Sequence, residues 1–185
     1  RGALLRKAGE LLAARQDTLV PLIISETGAT AQVGSRMQVP VALERFSTYA
    51  AMAARNHDIP LSPNPTPSTP LAPGDLIATL LAPQLLAALA TVAPYHLPVV
   101  NQPGKVGPAL AAGCTVVMKP APQDPLAVIE LAEVLHEAGF PPGVVNVVTS
   151  TSAEPAAALT TSRDIDMVSF TGSTGVGAKI YEAGS

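Results

Sequence analysis

Apolar residues recur every three or four positions at the start of the chain: Leu4, Leu5, Ala8, Leu11 and Leu12, with Arg6, Lys7 and Glu10 on the opposite side. That spacing predicts an amphipathic helix. A second helix is expected from Asp17 as its cap, with Pro21 still in the first turn and Gly28 just past the end. Val39, Ala42, Leu43, Phe46, Ala50 and Ala53 mark a third, and Pro40 either falls in its first full turn or kinks it.

The pattern breaks between Ile59 and Gly74. Pro60, Pro63, Pro65, Pro67, Pro70 and Pro73 leave little backbone able to donate to a sheet, so this stretch reads as an extended arm, edge or linker. The apolar run Leu76–Ala93 is interrupted by Thr79, Pro83, Gln84 and Thr91. It predicts two buried strands rather than a membrane span.

From there apolar runs and helix-like segments alternate. The expected strands are Leu86–Ala93, Thr115–Met118, Val144–Val148 and Met167–Phe170; the expected helices are Val99–Ala112, Pro125–Ala138, Glu154–Thr161 and Ser173–Ala183. Gly113 and Gly139 stand where helix C-caps belong. Short apolar strands separated by helices predict an α/β fold, a parallel sheet covered by helices on both faces.

Composition narrows the function. Hydrophobic residues make up 48% and charged residues 14%, enough apolar material for a core and against disorder of the whole chain. Net charge is −3 with the 11 Lys and Arg scattered, which argues against a nucleic-acid or membrane-surface partner. The single cysteine, Cys114, excludes an internal disulfide framework and a cysteine-based zinc site, and suits a reducing cytoplasm. His57, His96 and His136 lack metal-ligand spacing, so no metal is expected. Arg1 opens no signal-peptide pattern; the chain starts inside what reads as a helix.

In an open parallel sheet, ligands bind beyond the carboxyl ends of the strands. That rule selects Pro94–His96, Lys119–Pro122 and Thr171–Ser173. Lys119 follows the run Thr115–Met118, so its ammonium is expected at the crevice edge, able to meet ribose hydroxyls or a phosphate or else simply solvated. In Phe170–Gly177 (FTGSTGVG) a strand runs into a helix; Gly172 admits a close ligand, and Ser173 with the first free N–H groups of the helix suits a pyrophosphate. The plainer alternative is a glycine-rich turn. His96 ends the first buried strand without an identifiable carboxylate partner. Cys114 has no activating base and reads as a buried structural residue. Glu130, Glu133 and Glu137 share one helical side and read as solvated.

Three segments carry a resemblance. Lys105–Pro120 (KVGPALAAGCTVVMKP), Leu135–Asn146 (LHEAGFPPGVVN) and Val168–Gly177 (VSFTGSTGVG), together with Glu26-Thr27-Gly28 near the start, are similar in order and spacing to the aldehyde dehydrogenase superfamily, over essentially the whole chain. The resemblance implies a Rossmann-like domain binding NAD or NADP, comprising a helical segment (1–55), the Pro-rich arm (56–82) where the family has an oligomerisation hairpin, and the core (83–185). It implies that Lys119 holds the adenosine ribose or its 2′-phosphate. Gly172 and Ser173 would meet the pyrophosphate, Val176 the adenine region, and Ala93, Pro94 and Tyr95 the nicotinamide. It implies oxidation of an aldehyde to a carboxylic acid through a cysteine thioester. The nucleophilic cysteine and general-base glutamate of the family fall downstream of the position matching Ser185, so this chain is expected to be inactive alone and to belong to a homo-oligomer when complete.

Departures from the family pattern bear on competence. The oxyanion-stabilising asparagine falls at His96, and losing one such donor typically costs ~10²–10³ in rate. A glutamate that often binds ribose hydroxyls falls at Pro122. Loop glycines are replaced by Ser150, Ser152 and Ala156, where added Cβ atoms are expected to crowd the adenine site or force strained φ values. The sequence thus leaves two readings: part of an active dehydrogenase, or a degenerate relative serving as a nucleotide-binding or assembly module.

Overall fold

The computed structural model describes residues 1–55, 58–61, 64–65, 76–77, 80–81 and 87–184. Residues 1–54 and 86–185 form one compact unit and residues 55–85 a second.

The first unit opens with α1 (Gly2–Ala14), which buries Leu5, Ala8 and Leu12. Next comes α2 (Gln16–Thr27), and it starts earlier than expected. Arg15 is its cap, Asp17 lies in the first turn, where a carboxylate favours the helix dipole, and Pro21 sits inside the helix. A short turn, α3 (Ala31–Val33), runs through a π-helical turn at Gly34–Gln38 into α4 (Val39–Met52), with Pro40 at its start. Pro40 has no N–H to give the carbonyl four residues back, so a widened turn just before it is where a helix loses least.

Four parallel strands follow: β5 (Ala88–Val92), β6 (Thr115–Lys119), β7 (Val145–Val147) and β8 (Met167–Phe170). They are ordered β7-β6-β5-β8, and the strands β1 (Ile59–Pro60), β2 (Asn64–Pro65), β3 (Leu76–Ile77) and β4 (Leu80–Leu81) lie in the second unit. Their connections are α5 (Pro98–Ala112), α6 (Pro125–Ala138) and α7 (Glu154–Thr161), and α8 (Thr174–Ala183) closes the unit. Right-handed crossovers put α5 and α6 on one face and α7 on the other. On the first face α5 and α6 pack with α1 and α4 over the main core, while α7 packs against α8 and β5. The expected α/β class and every expected strand and helix of this core are present, with no end shifted by more than two residues. Gly113 and Gly139 close α5 and α6 at φ 105°, a left-handed conformation that glycine adopts without steric cost.

The second unit corrects an expectation. Its prolines do not abolish pairing: β1 (Ile59–Pro60) pairs antiparallel with β4 (Leu80–Leu81), and β2 (Asn64–Pro65) with β3 (Leu76–Ile77). Antiparallel ladders require each residue's N–H only at alternate positions, so a proline is tolerated in two-residue ladders that end at once. The run Leu76–Ala93, expected as two strands, contributes to three: β3, β4 and β5. His57 and most of the arm lie outside the described residues.

Candidate active site

Strand order reverses between β5 and β8: β5 connects through α5 to β6 on one side, yet β8 joins on the other. This switch point opens a crevice beyond the strands' carboxyl ends. There the Thr171 N–H donates to the Val92 carbonyl (3.0 Å), so the segments Ala93–His96 and Thr171–Ser173 leave the sheet side by side. Val92 is also level with Lys119 in the parallel pairing of β5 with β6, so all three expected places leave the sheet at one edge.

The turn after β8 lines a cleft of about 550 Å³, bordered by Phe170, Thr171, Gly172, Ser173, Gly177 and Tyr181 among others. Ser173 is the N-cap of α8, but its hydroxyl makes no capping bond, so the first-turn N–H groups remain available to a ligand. The structure adds a contact the sequence did not disclose: a Cβ on Gly172 would lie 2.5 Å from Cζ of Phe170, so that ring would have to shift. Val176, one helical turn on, is 47% exposed.

On the β5 side, Ala93 is buried, Pro94 partly so, and Tyr95 is 53% exposed. His96 is exposed, its ring edge-on to Tyr95 at 6.0 Å. Behind them, Thr91 Oγ1 donates to Gln102 Oε1 at 2.8 Å, tying α5 to β5. Lys105 on α5 reaches across to β8, donating from Nζ to Thr171 Oγ1 (2.7 Å) and Ser169 Oγ (3.2 Å). Burial first, then the nearby Arg45 guanidinium, hold the Lys105 pKa below its usual range. Lys105 was legible only as the first residue of a motif, and its role as a cross-brace was missed.

Lys119 departs from expectation. It is 4% exposed, and its Nζ donates to the Pro120 carbonyl at 2.6 Å instead of emerging at the crevice edge. The cleft at Gly172–Ser173 is lined neither by Lys119 nor by Tyr95, nor by any residue of Ser150–Ala156. Lys119 belongs to a different cluster, at the start of α6. There Glu26, on α2, accepts from the Leu126 N–H (2.7 Å) and the Ala127 N–H (2.8 Å), capping α6 from a hundred residues away. Asp124, the N-cap residue itself, makes no capping bond. It is 1% exposed, and neither carboxylate oxygen has a well-formed hydrogen bond. Burial, reinforced by Glu26, raises its pKa to about 7, while its own backbone amide and Lys119 act in the opposite direction. Burial lowers the Lys119 pKa, and Asp124 partly restores it.

The remaining expectations fall as follows. Cys114 is buried and free. Glu130 and Glu137 are not merely solvated, since both pair with Arg15. The Ser150–Ala156 loop avoids the strain expected of its lost glycines: no non-glycine residue among those described has a positive φ. Its serines instead hold the turn, Ser150 Oγ accepting from the Ser152 N–H and Ser152 Oγ from the Glu154 N–H. Among the described residues no group of His, Cys, Asp and Glu could hold a metal ion, and no helix is long and apolar enough to cross a membrane.

Residues 1–185 match the aldehyde dehydrogenase family over their whole length. The chain belongs to the aldehyde dehydrogenase family. It is 39% identical over 182 residues to an alpha-ketoglutarate semialdehyde dehydrogenase of Haloferax volcanii, covering 98% of this chain and 36% of that protein. It is 37% identical over 182 residues to a 2,5-dioxopentanoate dehydrogenase of Saccharolobus solfataricus, with the same two coverages. Betaine aldehyde dehydrogenase from Staphylococcus aureus in complex with NAD+ superposes with a TM-score of 0.89 at 25% identity, over 100% of this chain and 35% of that one. This aldehyde dehydrogenase chain thus spans about a third of the length of the curated relatives it matches.

Proposed function

We propose that the complete protein containing this chain oxidises an aldehyde to a carboxylic acid with NAD or NADP, through a cysteine thioester, and that this chain supplies most of the cofactor site. The observation that carries the proposal is the uncapped start of α8 at the switch point, with Ser173 and the first-turn N–H groups facing a cleft of about 550 Å³. A pyrophosphate there gains the helix dipole and N–H donors that no side chain claims. When bound, the cofactor supplies the hydride acceptor.

The chain's own residues divide the remaining work. Gly172 and Ser173 hold the pyrophosphate, Val176 offers an apolar contact to the adenine region, and Ala93, Pro94 and Tyr95 wall the nicotinamide. Lys105 fixes Thr171 and so the turn that presents Gly172. His96 stands where a hydrogen bond would stabilise the oxyanion; a neutral imidazole has one N–H for that purpose. Lys119 serves the adenosine ribose only after its Nζ leaves the Pro120 carbonyl.

The test is direct titration of the complete protein with NAD+ and NADP+, followed by absorbance at 340 nm on adding an aldehyde. Saturable binding and aldehyde-dependent reduction are expected. A folded protein that binds neither nucleotide overturns the proposal and favours a non-catalytic assembly role, to which His96 and Pro122 would then belong.

A further inference from the structure

Asp124 has no part in the function proposed above, yet it is placed as few acids are. It is the N-cap residue of α6 and 1% exposed, and neither carboxylate oxygen has a well-formed hydrogen bond. The amides that a capping aspartate takes are occupied, because Glu26 already accepts from the Leu126 and Ala127 N–H groups. The Asp124 N–H donates to the Ala121 carbonyl at 3.3 Å, which turns the segment after β6 back on itself. The acid is thereby held where it and Lys119 feel each other's charge.

Lys119 is buried as well. Val92 pairs level with both Lys119 and Phe170, so the lysine stands in the last row of the sheet, at the edge where ligands bind. Its Nζ nevertheless turns onto the Pro120 carbonyl, at 2.6 Å. An ammonium has three N–H donors, and among the described residues this one uses a single acceptor. One carbonyl is poor compensation for burying an ammonium; a carboxylate beside it supplies the rest.

We propose that Asp124 is a positioning residue for Lys119. Ionised, it keeps the ammonium folded inward and off the cofactor; protonated, it lets the lysine turn out to the adenosine ribose. This rests on the ribose-binding role given to Lys119 above. The ionisable groups that act on Asp124 oppose one another: Glu26, from α2, disfavours the carboxylate, and Lys119, from β6, favours it. With burial the largest influence, the acid titrates at about pH 7. When Lys119 swings out, the carboxylate loses its cation and stays buried beside Glu26, so it holds its proton to higher pH. Cofactor binding then takes up protons, and affinity falls as pH climbs above about 7. Well below that the carboxyl group is protonated in both states, and affinity is level.

The test is calorimetric titration of the complete protein with NAD+ and with NADP+ at pH 6, 7, 8 and 9. At pH 8 it is repeated in two buffers of different ionisation heat, so that proton uptake is read directly. The wild-type Kd should rise ~3–10-fold from pH 7 to pH 9, within the tenfold per pH unit that one full proton allows. Asp124→Asn should match the wild type at pH 6, bind ~3–10-fold more tightly at pH 9, and take up no proton. Lys119→Met should weaken binding and make Asp124→Asn silent, because the acid then has no lysine to withhold.

A wild-type affinity that is level with pH and free of proton uptake overturns the inference without any variant. So does an Asp124→Asn protein that binds like the wild type at pH 9. A gain that persists in the Lys119→Met background also overturns it, placing the effect in the fold or on the nucleotide itself. A complete protein that binds neither nucleotide at any pH removes the proposed function, and this inference with it.

Discussion

Replacing Asp124 by Asn should stabilise the protein, and by more at pH 8 than at pH 5. Its carboxyl group is buried, without a well-formed hydrogen bond, and Glu26 stands nearby with both oxygens on the α6 amides. Its pKa is raised from 3.8 to about 7. Between those values the folded chain keeps a proton that the unfolded chain releases. Stability is therefore fullest below the unfolded value, falls as pH rises through the window, and levels off once both states are ionised. The whole swing is about 4 kcal/mol, as a ceiling that water entry and side-chain relaxation reduce. Between pH 5 and pH 8 the share is about 2–3 kcal/mol.

Asn has nearly the same shape and no charge to bury, so it removes the swing while leaving the fold in place. Urea unfolding followed by far-ultraviolet circular dichroism, at pH 5, 6, 7 and 8 on wild type and Asp124→Asn, measures it. The variant's advantage should grow with pH and flatten above about pH 7, the raised pKa. Lys119 and Glu26 face the same carboxyl group but are common to both proteins, so the difference isolates Asp124. An advantage that is constant with pH, or a variant less stable at pH 8, refutes the unpaired buried carboxylate.

Further outcomes follow from the same contacts. Glu26→Ala removes both acceptors from the start of α6 and should cost ~1–2 kcal/mol, with Glu26→Gln costing less, measured by the same unfolding curves. Gly107→Ala would put a Cβ 2.5 Å from Tyr49 Cδ2, where α5 crosses α4, and should cost ~1–3 kcal/mol in the melting experiment. If His96 stabilises the oxyanion, His96→Ala lowers kcat by ~10²–10³ with little change in cofactor affinity, and His96→Asn recovers much of it. Equal activity in His96→Ala and wild type would remove His96 from the mechanism.

The parts legible in the sequence were those governed by local periodicity. Leu5, Ala8 and Leu12 at helical spacing, Val116 and Met118 in a short apolar run, and Gly113 and Gly139 after helices each express a rule acting over a few residues. The crevice was legible for the same reason, because ligands collect beyond strand ends and strand ends can be read. What escaped was set by side-chain direction and by distance along the chain. Lys119 sits where a strand ends, but strand position does not say that a flexible four-carbon stem folds back onto the Pro120 carbonyl. The arm's prolines argued against pairing, yet two-residue antiparallel ladders accommodate them.

The longest-range features are also the ones that join structure to site. Glu26 in the helical segment caps α6, whose first residues adjoin the Lys119–Asp124 cluster at the end of β6. Arg45, nineteen positions later, reaches the first turn of α5. The helices that precede the sheet therefore do more than cover one of its faces. One supplies the acceptors that hold α6 in place, and another the guanidinium that bonds the first turn of α5. Cutting the chain before the first strand of the sheet would remove both, leaving uncapped the α6 amides that Glu26 now satisfies, and the Val100 carbonyl without its donor. A cofactor domain defined only by its parallel strands would thus lack the hydrogen bonds that hold α5 and α6 as well as part of the core packing.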